Sequence, residues 1–204
     1  MSIDVSVIYR RTLEHFNRAF NNINSEKRVF EHNAEAISDV IPGFEADKLE
    51  FGSYNKENYA VLFVDMRRST QRAQQVGPEN TFLTMHVFLT AAVQNAGLCG
   101  RDMLTVRENV INRIVQEKKL GPDINIGVGV TFDSVIVTKI GIADSYDVKA
   151  FGDCINIASH YANETENKVK VSKKVKNEWP SSNGGGIRFT AAGNGDAYYL
   201  ESSH

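Results

Sequence analysis

The chain has 204 residues, 42% of them hydrophobic and 24% charged, with a formal net charge of −2. That length and balance describe one globular domain, or one plus an appendage, and a near-neutral charge argues against sequence-independent nucleic-acid binding. No apolar run approaches the roughly 18 residues of a membrane span, and the opening MSIDVSVIYRRTLEHF carries charges where a secretory signal needs an apolar core. Two cysteines, Cys99 and Cys154, are too few and too far apart for a disulfide scaffold or a zinc site, so a reducing cytoplasm is the expected location.

Val5, Ile8, Tyr9, Leu13, Phe16 and Phe20 recur at helical spacing, and a second helical stretch runs from about Ser25 until Pro42 stops it, which predicts an N-terminal α-hairpin over residues 1–45. A mostly polar connector follows from Gly43 to Asn58. In YAVLFVDMRRST, Tyr59 to Thr70, the apolar run Ala60 to Val64 reads as a buried strand that delivers Asp65 at its end, where ligand sites of α/β sheets sit. A carboxylate there can hold a hard divalent cation. The backbone amides of a following helix, with Arg67, Arg68, Ser69 and Thr70, can take phosphate oxygens. The competing reading of Asp65 is a plain helix cap. Gly77-Pro78 punctuates the chain. Phe82, His86, Leu89, Val93 and Ala96 then mark one helical face, and Met103 to Val115 continue helical character to about Lys118.

From Asp123 the period becomes two. INIGVGVTF, a turn near Asp133-Ser134 and VIVTKIG read as an antiparallel hairpin, followed by a strand near Tyr146 to Ala150 and a helix that opens at Gly152-Asp153 and bears Asn156, Ala158, Ser159 and His160. KVKVS reads as a strand, KKVKNEW as a short helix ended by Pro180, and IRFTA with DAYYL as a terminal hairpin turning at Asn194-Gly195. The five lysines between Lys168 and Lys176 predict a solvated face. The closing residues 201–204 read as a cloning remnant outside the fold.

LFVDMRRST, GVGVTFDSVIVTKIG and FGDCINIASH occur in an order and spacing that resemble the class III nucleotidyl cyclases, over roughly Tyr59 to Leu200. The resemblance implies an α+β fold, a ferredoxin- or palm-like, antiparallel-rich sheet flanked by helices, as the catalytic domain of residues 46–204. It implies cyclisation of a nucleoside triphosphate with two divalent ions, Mn²⁺ or Mg²⁺, held by Asp65 and the backbone carbonyl of Met66. It makes Asn156, in the G-D-x-x-N-x-A-S helix, the residue that orients the ribose. It also implies a head-to-tail homodimer in which Asp65 of one chain faces Asn156 of the other.

Departures from the family pattern are as informative. His160 stands where the family carries a transition-state Arg, and an imidazole is cationic over only part of the physiological range; the alternative is a partly buried helix histidine. Asn194 stands where the family has a triphosphate-binding Lys. Between Leu89 and Val93 the family inserts a β-hairpin carrying a second metal-binding Asp, absent here, so either a segment is left out at that point or the chain is a degenerate relative. Asp102 is expected to be a surface or capping residue, not a replacement. At the base-reading position stands Lys149, which offers only donors and so suits the carbonyl edge of uracil, unless it points into solvent. With the DMRRST form of the first motif, this is similar to the bacterial Pycsar uridylate cyclases. That likeness implies conversion of UTP to 3′,5′-cyclic UMP in antiphage defence and a separate effector protein activated by cyclic UMP. The alternatives are a purine cyclase of the same fold and a catalytically inactive nucleotide-binding module.

Overall fold

The computed structural model describes residues 4–24, 50–94, 100–142, 145–179, 187–193 and 195–202. In chain order the elements are α1 (Val5–Asn24), β1 (Tyr54–Met66), α2 (Ser69–Gln94), α3 (Gly100–Val106), a π-helical turn (Arg107–Asn112), α4 (Arg113–Glu117), β2 (Ile126–Ile142), β3 (Ser145–Phe151), α5 (Asp153–Asn163), β4 (Lys168–Ser172), α6 (Lys173–Glu178), β5 (Ile187–Ala191) and β6 (Ala197–Ser202). The six strands form one sheet in the order β1-β2-β4-β6-β5, with β3 also paired to β2. All pairings are antiparallel except β2 with β4. The expected α+β architecture is therefore present. The second helix of the predicted N-terminal hairpin, Asn194 and Cys99 lie outside the described residues.

One expectation fails at the centre of the sheet. The predicted hairpin is a single 17-residue strand, β2, with no turn at Asp133-Ser134. A two-residue hairpin needs positive φ at its turn, and among the described residues the non-glycine residues with positive φ are Arg68, Lys119 and Asn167. β1 explains why no turn forms: it begins at Tyr54, inside the stretch read as a connector, and pairs with β2 in unbroken register from Tyr54↔Thr138 to Met66↔Ile126. β2 instead changes partners on its other edge, from β4 at Gly127–Val130 to β3 at Ile136–Ile142. Glu201 and Ser202 belong to β6, paired with Arg188 and Ile187, and so are part of the fold.

The two faces of the sheet are covered differently. Met66, Ile126 and Val128 join Val87, Met103, Val106, Val110, Ile111 and Ile114 in a core that α1 closes with Ile8, Phe16 and Ala19. Inside it, Asn112 holds the start of β2 as a strand partner would: its Oδ1 accepts from the Ile124 amide at 2.7 Å and its Nδ2 donates to the Ile124 carbonyl at 3.2 Å. The opposite face takes α5. A Cβ on Gly127 would lie 1.9 Å from the Ala162 carbonyl oxygen, and one on Gly129 1.9 Å from that of Ala158, so the alternate glycines of GVG let helix backbone rest on strand backbone. Gly77, at φ 78°, breaks α2 ahead of Pro78, as the dipeptide predicts. Among the described residues no helix is long and apolar enough to cross a membrane.

Candidate functional site

The site grows from the end of β1. Asp65 pairs with Gly127, and so lies on the α5 face of the sheet. The next residue, Met66, turns its side chain into the core, leaving its main-chain carbonyl as the only donor it could offer a ligand. The Arg67 amide donates to the Asn125 carbonyl at 2.8 Å, Arg68 adopts φ 55°, and α2 opens at Ser69, with Ser69 and Thr70 exposed. This is the strand, turn and helix start that the sequence predicts.

Arg67 is engaged within the chain. Its guanidinium pairs with the Asp65 carboxylate and donates to the Asn163 carbonyl at 2.6 Å and to Asn163 Oδ1 at 3.2 Å. It clips the last residue of α5 to the end of β1. Asp65 is thus bonded to a side-chain cation and not to an α2 amide, and the helix-cap reading does not hold. Its side chain is about half exposed, at 48%, so a dissolved cation can compete with Arg67 for it. Among the described residues no three His, Cys, Asp or Glu side chains are grouped to hold a metal. The donor set at this point, one carboxylate and one carbonyl, fits a hard oxygen-seeking cation that takes its remaining ligands from phosphate and water.

Behind the turn lies a cavity of about 260 Å³ whose polar lining includes Arg67, Arg68, Gln71, Arg72, Asp123 and Asn125. Arg72, missed by the sequence reading, is only 7% exposed and donates to the Pro122 carbonyl, to the Leu120 carbonyl at 3.2 Å and to Thr84 Oγ1 at 3.5 Å. Burial pushes its guanidinium below the usual arginine value, against the opposing pull of Asp123. Asn125 is held from three sides: its Oδ1 accepts from Arg107 at 3.4 Å and Asn167 at 2.9 Å, and its Nδ2 donates to Glu166 at 2.6 Å. The π-helical turn is what presents Arg107 to this network.

Asn156 and His160, one turn apart on α5, are both exposed, so the buried-histidine alternative for His160 is not what the fold adopts. Neither meets Asp65 within the chain. Arg67 touches α5 at Asn163, and at 1.5 Å per residue Asn156 is roughly 10 Å further along the helix. Lys149 is exposed and pairs with Asp147 at 2.7 Å. It sits opposite Thr138, whose place on β2 has the opposite parity to Gly127, so Lys149 and Asp65 occupy opposite faces of the sheet. Asp102 falls in the first turn of α3, where a carboxylate favours the helix dipole.

The lysine stretch is more engaged than a solvated face. Lys170 bonds Glu164 at 2.5 Å and lies over Tyr161, Lys174 bonds Asp133 at 2.6 Å, and Lys168 and Lys176 lie over the rings of Tyr199 and Tyr198.

No family model and no curated protein matches the chain. Solved structures do. The guanylyl cyclase Cya2 is similar over 72% of this chain and 91% of its own, at 15% identity and a TM-score of 0.56. The adenylyl cyclase CyaB from P. aeruginosa is similar over 74% and 97%, at 12% identity and 0.57. A class III adenylyl cyclase-like ATP-binding protein from Pseudomonas aeruginosa is similar over 66% of this chain and 37% of its own, at 10% identity and 0.53. At these identities the likeness establishes the fold: this chain folds as the class III nucleotidyl cyclases do.

Proposed function

We propose that the protein is a nucleotidyl cyclase that converts UTP to 3′,5′-cyclic UMP and pyrophosphate, as a second messenger for a cyclic-UMP-activated effector in antiphage defence. The observation that carries the cyclase reading is the placement of Asp65 at the end of β1, solvent-accessible and next to the Arg67–Thr70 turn and the polar cavity behind it. Asp65 and the Met66 carbonyl would hold the Mn²⁺ or Mg²⁺ ions, which when bound supply Lewis-acid neutralisation of the phosphate charge. Ser69, Thr70 and the amides around them hold phosphate oxygens, and Asn156 orients the ribose. His160, when protonated, and Asn194 are assigned to the phosphates as donors. Because Asn156 and His160 lie well along α5 from the Asp65 end, and all three are accessible, the site is completed by a second copy of the chain.

The uracil assignment rests on Lys149, whose donor-only chemistry matches two carbonyl oxygens and offers nothing to the adenine amino group. Its present partner, Asp147, would have to release it. A second reading is favoured by one observation: Arg67 already neutralises Asp65, and among the described residues Asp65 belongs to no group of three His, Cys, Asp or Glu side chains that could hold a metal. That suits a module that binds nucleotide without turning it over. One experiment separates these. Purified protein is incubated with each of the four ribonucleoside triphosphates and Mn²⁺, and cyclic product is resolved by chromatography. Product from UTP alone supports the proposal, and product from ATP or GTP replaces it with a purine cyclase. Absence of product with all four supports the module. Asp65→Ala is expected to abolish turnover while the circular dichroism spectrum is unchanged; retained turnover refutes the metal assignment.

A further inference from the structure

Asp65 and Arg67 flank Met66 at the end of β1, where Arg68, at φ 55°, breaks the extended chain ahead of α2. The Arg67 guanidinium is built into this corner. Its main-chain amide donates to the Asn125 carbonyl at 2.8 Å, one terminal nitrogen donates to the Asn163 carbonyl at 2.6 Å, and the other is shared between Asn163 Oδ1 at 3.2 Å and Asp65 Oδ2. The side chain is 16% exposed and its Nε is buried without an acceptor, so it is packed in place and does not lie along the surface. Asn163 is fixed in turn, because α5 rests backbone on backbone against β2 at Ala162 and Gly127. A planar fork with two terminal nitrogens can meet Asn163 twice and a carboxylate once; an ammonium cannot reproduce that pattern.

The carboxylate so held is the one assigned above to a divalent cation. Guanidinium and cation carry the same sign, and at contact distance their repulsion in a half-exposed site is large beside thermal energy. We propose that Arg67 is a built-in competitor for the cation site: a bare divalent ion reaches Asp65 by displacing the guanidinium, and in doing so loosens the last turn of α5. This rests on the metal reading of Asp65 given above, and it differs from the inactive-module reading, in which the pair stays shut. Arg67 is then a positioning residue. With Asp65 released, the fork holds only Asn163, at the end of the turn that carries His160. Occupancy of the cation site and the seating of that turn are thus linked through one side chain, and the link runs both ways. Whatever draws the last turn of α5 from β1 takes Arg67 with it and opens Asp65.

The test is titration of the full chain with Mn²⁺ in nucleotide-free buffer, read from the loss of the free-ion signal in electron paramagnetic resonance. Arg67→Met, which keeps a buried apolar stem and removes the charge, is expected to bind the ion on the order of tenfold more tightly than the natural chain. Arg67→Lys keeps the charge and is expected to gain much less. A residue that merely held the structure together would lower affinity on removal, not raise it. Asp65→Asn on the Arg67→Met background is expected to cancel the gain. If natively folded Arg67→Met binds no more tightly, while the natural chain still loses Mn²⁺ binding in Asp65→Asn, the competitor is overturned and the metal reading stands. Binding that Asp65→Asn leaves unchanged, or none by any variant, overturns the metal reading and the competitor with it. Should circular dichroism show that Arg67→Met is not native, peptide-resolved hydrogen exchange of the natural chain decides. Saturating Mn²⁺ is expected to speed exchange over residues 160–165 and not over β4, and unchanged exchange at both overturns the proposal.

Discussion

Gly129→Ala puts the packing of α5 to the test. The added methyl carbon would meet the Ala158 carbonyl oxygen at 1.9 Å, the Ala162 nitrogen at 2.7 Å and the Ala158 carbonyl carbon at 2.9 Å, all of them backbone atoms that no rotamer change can move. Ordinary contact begins near 3.4 Å, so α5 must recede by about 1.5 Å or β2 must bend. Recession strains the bonds that seat the helix: Thr131 Oγ1 to the Cys154 carbonyl at 2.8 Å, the Val128 amide to Thr165 Oγ1 at 3.2 Å, and the Arg67 clip on Asn163. Overpacking costs about 1–3 kcal/mol, here at the upper end because neither side can yield, and relief from a strand glycine returns up to about 1 kcal/mol. A net loss of about 2 kcal/mol lowers the melting temperature of a chain this size by roughly 4–8 °C. Differential scanning calorimetry reads it directly. A fall of less than about 1 °C would mean that helix and strand are not in backbone contact, and the placement of Asn156 and His160 relative to Asp65 would fall with it.

Two further expectations follow from electrostatics. Tyr9 on α1 donates to Glu117, which Arg113 also engages at 2.9 Å, and the Tyr9 bond, then Arg113, hold the Glu117 carboxyl below its ordinary value of 4.5. A depressed carboxyl stabilises the fold above its unfolded value and loses that contribution as pH falls through the folded one, so Glu117→Gln should lower the urea midpoint at pH 7 and by less at pH 3; an equal difference at both pH values refutes the assignment. Cys154 is 4% exposed, and burial raises its thiol above the usual range, so a disulfide reagent at pH 8 should modify it on the order of a hundredfold more slowly than in the urea-unfolded chain; fast labelling, located by peptide mass, would place it at the surface.

The parts of this molecule that were legible in its sequence are those whose physics is local. The period of α1, the Gly77-Pro78 break and the opening of α5 at Gly152-Asp153 each follow from residues within a few positions of one another. β2 was misread because a period of two marks an extended chain but says nothing of where the chain turns. Asp133-Ser134 has turn composition, yet the length of β1 keeps β2 straight, and Asp133 spends its side chain on Ser134 and Lys174. The GVG pair carried a readable signal, since alternate glycines in a strand call for something close on one face. The site divides in the same way. Asp65 and the Arg67–Thr70 turn are contiguous and were found, whereas Arg72, Asn125 and Asn163 matter through contacts reaching 50, 42 and 96 residues away along the chain. An arginine in a polar run such as STQRAQQ reads as solvent-facing. Only the closure of Leu120–Pro122 over it buries that charge, and that is why the buried arginine beside the motif is legible from the fold but not from the motif itself.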